Sequence, residues 1–322
     1  MTQDRAMPAH PLGLSRVIFG AWQAGKKDWG PLVDDRLSVA AMREALDKGM
    51  NAVDTAPDYG NGHSERLVAE AVKGMRHKVF LFTKIPPNRL HSDAVMRSCE
   101  ASLNNLKTDC IDAYFIHWPS GSFKMKPVDP GHTMEAVNRL RDQGKIRYTG
   151  ICNAWPDTIE AYSSHGPIDF CQAPYSLFWP HAEKGLMKYC QERRICFLAY
   201  SPLAQGILAG RFGANPVFAN NDHRARNRLF LPQTFPAVLE ALSKLELAAA
   251  RKNISLASLA LAFVLSRPGV RAIAGAGTPL QAAENALAGK VLLDQEEILA
   301  LEAIREPVAK TLDDNWLPWS PP

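Results

Sequence analysis

The segment NAVDTAPDYGNGHSERL, Asn51 to Leu67, reads as a strand, a loop and a helix in succession. A short apolar run ends in Asp54. Pro57, Asp58, Gly60, Asn61 and Gly62 make a turn-rich stretch, and Ser64 and Glu65 open a helix whose apolar period runs through Leu67, Val68, Ala71 and Val72. An acid therefore closes the strand, and Tyr59 follows in the loop. A phenol can donate a proton, but its unperturbed pKa near ~10 is too high for ready transfer at neutral pH. The segment calls for a cation beside Tyr59.

The same alternation continues on both sides. Apolar runs predict strands at Val17–Phe19, Ala52–Asp54, Val79–Lys84, Ile111–His117, Ile146–Asn153, Asp169–Ala173, Ile195–Ser201 and Val270–Ala274. Helical periods fall at Leu37–Lys48 (closed by Gly49), Ser64–Lys73, Ser92–Leu106 (Ser92 as N-cap), Thr133–Gln143, Pro156–Tyr162, Glu183–Glu192, Ala237–Lys252, Leu256–Leu265, Pro279–Ala288 and Gln295–Arg305. An irregular or hairpin-like lead-in precedes them, and Lys26–Asp35 reads as a polar loop. A long, mostly irregular loop spans about 201–235, and a closing segment about 306–322.

Eight strands alternating with helices require right-handed parallel crossovers. A closed barrel and an open doubly wound sheet both satisfy that pattern. The strand count, and the absence of GxGxxG after the first strand, favour a (β/α)8 (TIM) barrel, a single domain over 1–322 with an extra C-terminal helix and tail.

The chain has 322 residues, is 46% hydrophobic and carries a net charge of +4, which describes an ordinary soluble globular protein. No long basic run points to nucleic acid, and no apolar stretch has transmembrane length. The N-terminus lacks the apolar core of a signal peptide. Six cysteines with no CxxC pair read as reduced thiols in a cytoplasmic protein.

Barrel enzymes place their chemistry at the C-terminal ends of the strands. In order, those ends are Asp54, Lys84, His117, Asn153, Gln172, Tyr200 and Gly275. A lysine that ends the apolar run VFLFT needs a partner, and Asp54 one strand away supplies it. Lys84 is then also the cation that Tyr59 calls for, lowering the phenol's pKa. A neutral His117 would hydrogen-bond and orient a carbonyl oxygen. Each residue type has an ordinary structural use, the Asp as a turn former, the Tyr and His as packing. Their concentration on three consecutive strands at one rim is what sets them apart. A metal site at Asp58, His63 and Glu65 lacks ligand spacing on one face.

DTAPDYGNGHSE, FLFTK, DCIDAYFIHWP, QGKIRYTGICN and AYSPLAQGILAG resemble, in the right order, the motifs of the aldo-keto reductases. The likeness runs from about Gly20 through Asn285. It implies a barrel without a metal that uses NADP(H) or NAD(H). By the family's pattern Asp54, Tyr59, Lys84 and His117 are the catalytic tetrad, with Tyr59 as general acid or base and Asp54 also at the cofactor. Asn153 and Gln172 match the residues that hold the nicotinamide carboxamide, and Tyr200 the aromatic that stacks on the ring. Ser201, Leu203, Gln205 and Gly206 fall in the pyrophosphate loop. Gly275, Gly277 and Thr278 lead into the last barrel helix, whose N-terminus suits phosphate. Gln281, Glu284 and Asn285 match the adenosine positions.

Two departures stand out. Cys152 replaces the family's usual Ser before Asn153. The NADP-dependent members place Lys or Arg where this chain has Gly275, Gly277 or Gln281, and a 2′-phosphate wants such a partner. The long loop offers Arg211, Arg224, Arg226 and Arg228 instead. Trp22 and Trp118 are expected to wall the substrate pocket beside Tyr59 and His117, with Trp316 and Trp319 closing it. The substrate class is then an aldehyde, ketone or sugar. The leading expectation is reversible hydride transfer between NAD(P)H and a carbonyl. An NAD-dependent sugar or alcohol dehydrogenase and a cofactor-sensing regulatory subunit are the alternatives. Oligomeric state is left open.

Overall fold

The computed structural model describes residues 13–26, 34–220, 222–315 and 317–319. The expected lead-in, most of the Lys26–Asp35 loop and Trp316 lie outside the described residues.

The strands are β1 (Val17–Gly20), β2 (Ala52–Asp54), β3 (Phe80–Ile85), β4 (Ile111–Ile116), β5 (Ile146–Cys152), β6 (Phe170–Pro174), β7 (Cys196–Tyr200) and β8 (Val270–Ala274). The helices are α1 (Asp35–Asp47), α2 (His63–Ala71), α3 (Ser92–Leu106), α4 (Pro130–Asp142), α5 (Pro156–Ser163), α6 (Leu186–Glu192), α7 (Phe235–Arg251), α8 (Leu256–Leu265), α9 (Pro279–Ala288) and α10 (Gln295–Ala309). The strands pair in parallel in chain order, and β8 returns to β1 to close the barrel.

Period-2 alternation sorts each strand into an inward and an outward set. Inside the barrel, Ile18, Ala52, Phe82, Ala113, Phe115, Phe170, Leu198 and Ile273 form one buried cluster. A second, larger cluster fills the shell between strands and helices, with Val53, Leu81, Ile116, Ile151 and Ala199 contributed by the outward positions. Gly150 makes the inner packing possible, because a Cβ there would lie 2.2 Å from the ring of Phe115. The next inward position above Ala52 is Asp54, and above Phe82 it is Lys84. Above Phe170 it is Gln172, and above Leu198 it is Tyr200. The apolar layers of the barrel thus pass into a polar layer at the C-terminal rim without any change in strand geometry.

Several boundaries differ from the sequence reading: α4, for example, starts at Pro130 and not Thr133, and three further differences have a visible local cause. Ser92 is the first residue of α3 and not its cap; His91 holds that position, and the Ser92 hydroxyl donates to His132 O at 2.6 Å. The Glu183–Glu192 helix is broken by Gly185 at φ 120°, leaving a short 3-10 turn at His181–Glu183 ahead of α6. Helix α10 runs past Arg305 to Ala309 with Pro307 inside it, anchored at its start by a capping box between Asp294 and Glu297.

Gly49 closes α1 as expected, at φ 101°. The 201–235 loop is a chain of short 3-10 turns, and the tail zips onto it. Asn227 pairs with Trp319, and Arg228 N donates to Pro318 O at 2.8 Å. No single helix among the described residues is long and apolar enough to cross a membrane; α7 and α8 together pass that test only as a pair bent by 90°, and α8 is packed into the core.

Candidate active site

Lys84 is fully buried, and an ammonium in that position is stable only if every donor is used. Its Nζ donates to Asp54 Oδ2 at 2.6 Å, to Asp54 Oδ1 at 3.0 Å and to Thr55 O at 2.8 Å. Tyr59 Oη lies 3.3 Å from the same nitrogen. Burial alone would push the Lys84 ammonium down; the Asp54 carboxylate overrides it and holds the group above its ordinary value.

For Tyr59 the balance falls the other way. Burial pushes the phenol up to about 12, and the Lys84 cation opposes that without reversing it. The sequence reading had the cation lowering the phenol's pKa. Lys84 does pull in that direction, but desolvation of the ring is the larger effect.

Tyr59 sits on a loop whose path is fixed locally. A Cβ on Gly25 would come within 2.7 Å of the Tyr59 backbone, so only glycine permits that approach. Thr55 and Ser64 share a buried hydroxyl contact of 2.8 Å, and Ser64 Oγ donates to Ala21 O at 2.7 Å, which ties the loop to the end of β1.

His117 follows β4 directly, and its N–H still donates to Ile85 O at 3.1 Å. Its ring lies edge-on to Tyr59 with centroids 5.9 Å apart. Burial holds the imidazole below its ordinary pKa, against the pull of a 3.3 Å contact between Nδ1 and Asp58 Oδ2. Asp58, Asp54, Tyr59 and His117 open into a cavity of about 810 Å³.

The same cavity gathers most of the remaining sequence-predicted residues: Trp22, Trp118, Asn153, Gln172, Tyr200, Ser201, Leu203, Gln205, Gly206, Gly275, Gln281, Glu284 and Asn285. Gly277 and Thr278 are not among its lining residues. Thr278 caps α9, and Gly277 N donates to Gln281 Oε1 at 2.9 Å. Asn285 Nδ2 donates to Gly275 O at 3.1 Å and fixes the turn between β8 and that helix.

The amides are held in place by protein partners. Asn153, at φ 58°, donates to His117 O at 3.0 Å and accepts from Tyr200 Oη at 2.7 Å. Gln172 Nε2 donates to Asp54 Oδ1 at 3.0 Å. Each amide keeps one N–H and one lone pair for a ligand. Cys152 is fully buried and turns its thiol toward Gln172 Oε1 at 3.6 Å, so it supports Gln172 from the barrel interior.

The loop arginines divide. Arg228 makes a two-pronged pair with Asp313 at 3.0 and 2.6 Å, and Arg224 one with Asp222 at 2.5 Å. Arg211 and Arg226 line the cavity, are exposed, and have no ion pair among the described residues. Trp319 also lines the cavity, with its ring 5.8 Å from Tyr200 and 5.1 Å from His223.

Sequence reasoning missed Gln23, Phe123, Asp222 and His223, all of which line the cavity. None ends a strand, so the rule that found the others passes over them. Asp58 was read as part of a turn and as a metal candidate with His63 and Glu65. The three point apart: Asp58 meets His117, His63 pairs with Asp35, and Glu65 accepts from Thr83 and Asn105. No group of three or more His, Cys, Asp or Glu among the described residues is placed to hold a metal. All six cysteines are free thiols.

The residues present fit an extended dinucleotide. The cavity runs from the tetrad to α9, and Gln205, at its loop wall, buries an Nε2 that has no hydrogen-bond partner among the described residues. An NADH-specific methylglyoxal reductase of Escherichia coli K12 is 29% identical over 93% of this chain and 99% of its own. The structure of a glycerol dehydrogenase from Gluconobacter oxydans covers 97% of this chain and 98% of its own with a TM-score of 0.84 at 28% identity. An aldo-keto reductase from Klebsiella pneumoniae, solved in complex with NADPH, covers 95% of each chain with a TM-score of 0.76 at 27% identity. The model of the aldo/keto reductase family matches residues 16–306, and the chain belongs to that family.

Proposed function

We propose that this NAD(P)H-dependent oxidoreductase reduces a small aldehyde or ketone with Tyr59 as its proton donor and Asp54, Lys84 and His117 around it. One observation carries the reading. A single buried nitrogen, Lys84 Nζ, is saturated by Asp54 and Thr55 and still lies 3.3 Å from the Tyr59 hydroxyl. A phenol pushed up to about 12 stays protonated at neutral pH and releases its proton only to a strong base. An oxyanion developing on a carbonyl is such a base, and the adjacent ammonium then stabilises the phenolate left behind.

When bound, the reduced nicotinamide supplies hydride to the carbonyl carbon. Asn153 and Gln172 present their remaining amide valences to the carboxamide, and Tyr200 offers its ring face. Gln205 and the loop backbone around Gly206 would hold the pyrophosphate. Gln281, Glu284 and Asn285 hold the adenosine end. A cation for a 2′-phosphate comes from Arg211 and Arg226, since α9 brings none. Trp22, Trp118 and Phe123 leave room for a short carbonyl compound, in keeping with the methylglyoxal and glycerol named for two of the relatives.

The test is the rate of NADPH and NADH oxidation with methylglyoxal and glyceraldehyde, for the wild type and Tyr59→Phe. Loss of turnover with retained cofactor binding supports the assignment. A Tyr59→Phe protein that turns over normally overturns it.

A further inference from the structure

The contact between Asp58 and His117 constrains the chemistry more than the tetrad does by itself. A neutral imidazole has one N–H and one bare nitrogen. Nδ1 lies 3.3 Å from Asp58 Oδ2, and a carboxylate can only accept. If Nδ1 were the bare nitrogen, two lone pairs would face each other across that distance. Both ring states compatible with the contact, the neutral ring and the imidazolium, therefore keep a proton on Nδ1. In the neutral ring Nε2 is then an acceptor, and it has no partner among the described residues. A carbonyl oxygen needs a donor. The neutral ring that the sequence reading assigned to orient a carbonyl has its proton on the wrong nitrogen for that work.

We propose that Asp58 is a positioning residue that keeps the His117 proton on Nδ1, so that the charge of the ring decides whether Nε2 donates to a carbonyl oxygen or accepts from a hydroxyl. The inference rests on the site being a carbonyl and alcohol site. The imidazolium suits the reductive ground state, with Nε2–H and Tyr59 Oη converging on one oxygen. The neutral ring suits an alcohol, whose O–H it receives.

The groups facing the ring are Asp58 and Tyr59 from the loop after β2, Asp54 from the end of β2, and Lys84 from β3. Lys84 disfavours the imidazolium, and the two carboxylates favour it. Asp58 is half-exposed, with 47% of its side chain accessible, so it is open to exchange of partner with solvent or substrate hydroxyls. A carboxylate at this mouth also works against substrates that carry their own carboxylate.

The decisive measurement is the 15N NMR spectrum of the His117 ring in the full-length protein across pH, assigned with His117→Gln. The expected neutral form has Nδ1 protonated and Nε2 bare. Asp58→Asn is expected to reverse that tautomer, because the amide can donate to Nδ1. Kinetics supply a second readout. Reductive kcat/KM of the wild type is expected to fall about tenfold per pH unit above the ring's inflection, which lies below the ordinary histidine value near ~6.5. In Asp58→Asn that falling limb flattens, since a neutral ring can then donate from Nε2. A wild-type ring that carries its neutral proton on Nε2, or an Asp58→Asn profile that superimposes on the wild type, overturns the inference. The tautomer is read without turnover, so it stands apart from the Tyr59→Phe test: an inert Tyr59→Phe with an unchanged Asp58→Asn removes only the role of Asp58.

Discussion

The rim formed by β2, β3 and β4 and the loop that follows β7 face the same cavity but are built on different principles. On the rim, Asp54, Lys84 and His117 continue the inward alternation of strands whose lower positions are apolar core, and Tyr59 reaches them from the loop after β2. Lys84 stands above Phe82, and its neighbours have no freedom to leave. Along the loop, Arg211 and Arg226 are exposed, Arg226 on a short 3-10 turn and Arg211 in irregular chain, and the segment is fastened to the C-terminal tail by side-chain pairs such as Arg228 with Asp313. On the proposed reading, a rim built this way fixes reaction chemistry, and a loop built this way is free to change which cofactor is accepted. The two can vary independently.

The largest expected effects lie on the rim. Tyr59→Phe removes the proton donor and should lower kcat by roughly 10²–10⁴-fold, read in single-turnover assays with saturating cofactor. Lys84→Met tests a different property of the same rim. It leaves the Asp54 carboxylate buried beside Gln172 without a cation, and breaking a buried pair in this way costs about 3–5 kcal/mol. Denaturant unfolding should show that loss, which Tyr59→Phe should not share. If Lys84→Met proves as stable as the wild type, water or a protonated Asp54 reaches the site, and the rim is less rigid than its geometry implies.

This contrast also explains what was legible in the sequence. VFLFTK announces a buried strand ending in a charge, and physical chemistry then demands Asp54 as its partner; the structure places them 2.6 Å apart. The barrel itself is legible because hydrophobic alternation is a local signal repeated eight times. Asp58 was not legible in its role, because nothing local distinguishes a turn-forming aspartate from one that meets a histidine across two strands. Nor was the net shift at Tyr59: the sequence names the cation but not the depth of burial that outweighs it. Among the four loop arginines, composition gave no reason to separate Arg228 and Arg224, already paired, from Arg211 and Arg226.

The loop predictions are smaller and concern selectivity. Arg211→Ala with Arg226→Ala should weaken NADPH by about 10–100-fold, the range of one or two charge-assisted hydrogen bonds, and leave NADH nearly unchanged. Tryptophan fluorescence quenching measures both. Gly277→Arg approaches from the opposite wall. A Cβ at Gly277 meets Gln281 Oε1 at 3.7 Å and Gln23 Oε1 at 3.9 Å, both ordinary contacts, so the side chain can be accommodated and should raise the NADPH-to-NADH affinity ratio. If neither change moves the ratio, the 2′-phosphate position lies outside both walls, and the division between rim and loop loses its functional half.

The smallest effect tests the fastening of the loop. Arg228 is mostly buried and Asp313 about half-exposed, so their pair is partly screened and worth roughly 0.2–1 kcal/mol. That is too little to matter for folding. Yet the same stretch carries Asn227 against Trp319, which packs on Tyr200 beside the tetrad. Releasing the tail should therefore loosen a wall of the substrate pocket before it loosens the barrel. Arg228→Ala is expected to raise KM for the carbonyl substrate a few-fold, with kcat and thermal stability nearly constant. Asp313→Asn should do the same, and the double variant should add little, since the two act through one contact. Additive effects would mean that Arg228 and Asp313 serve separate partners, and that the tail is held over the cavity by its backbone ties, Arg228 N to Pro318 O and the Asn227–Trp319 pairing.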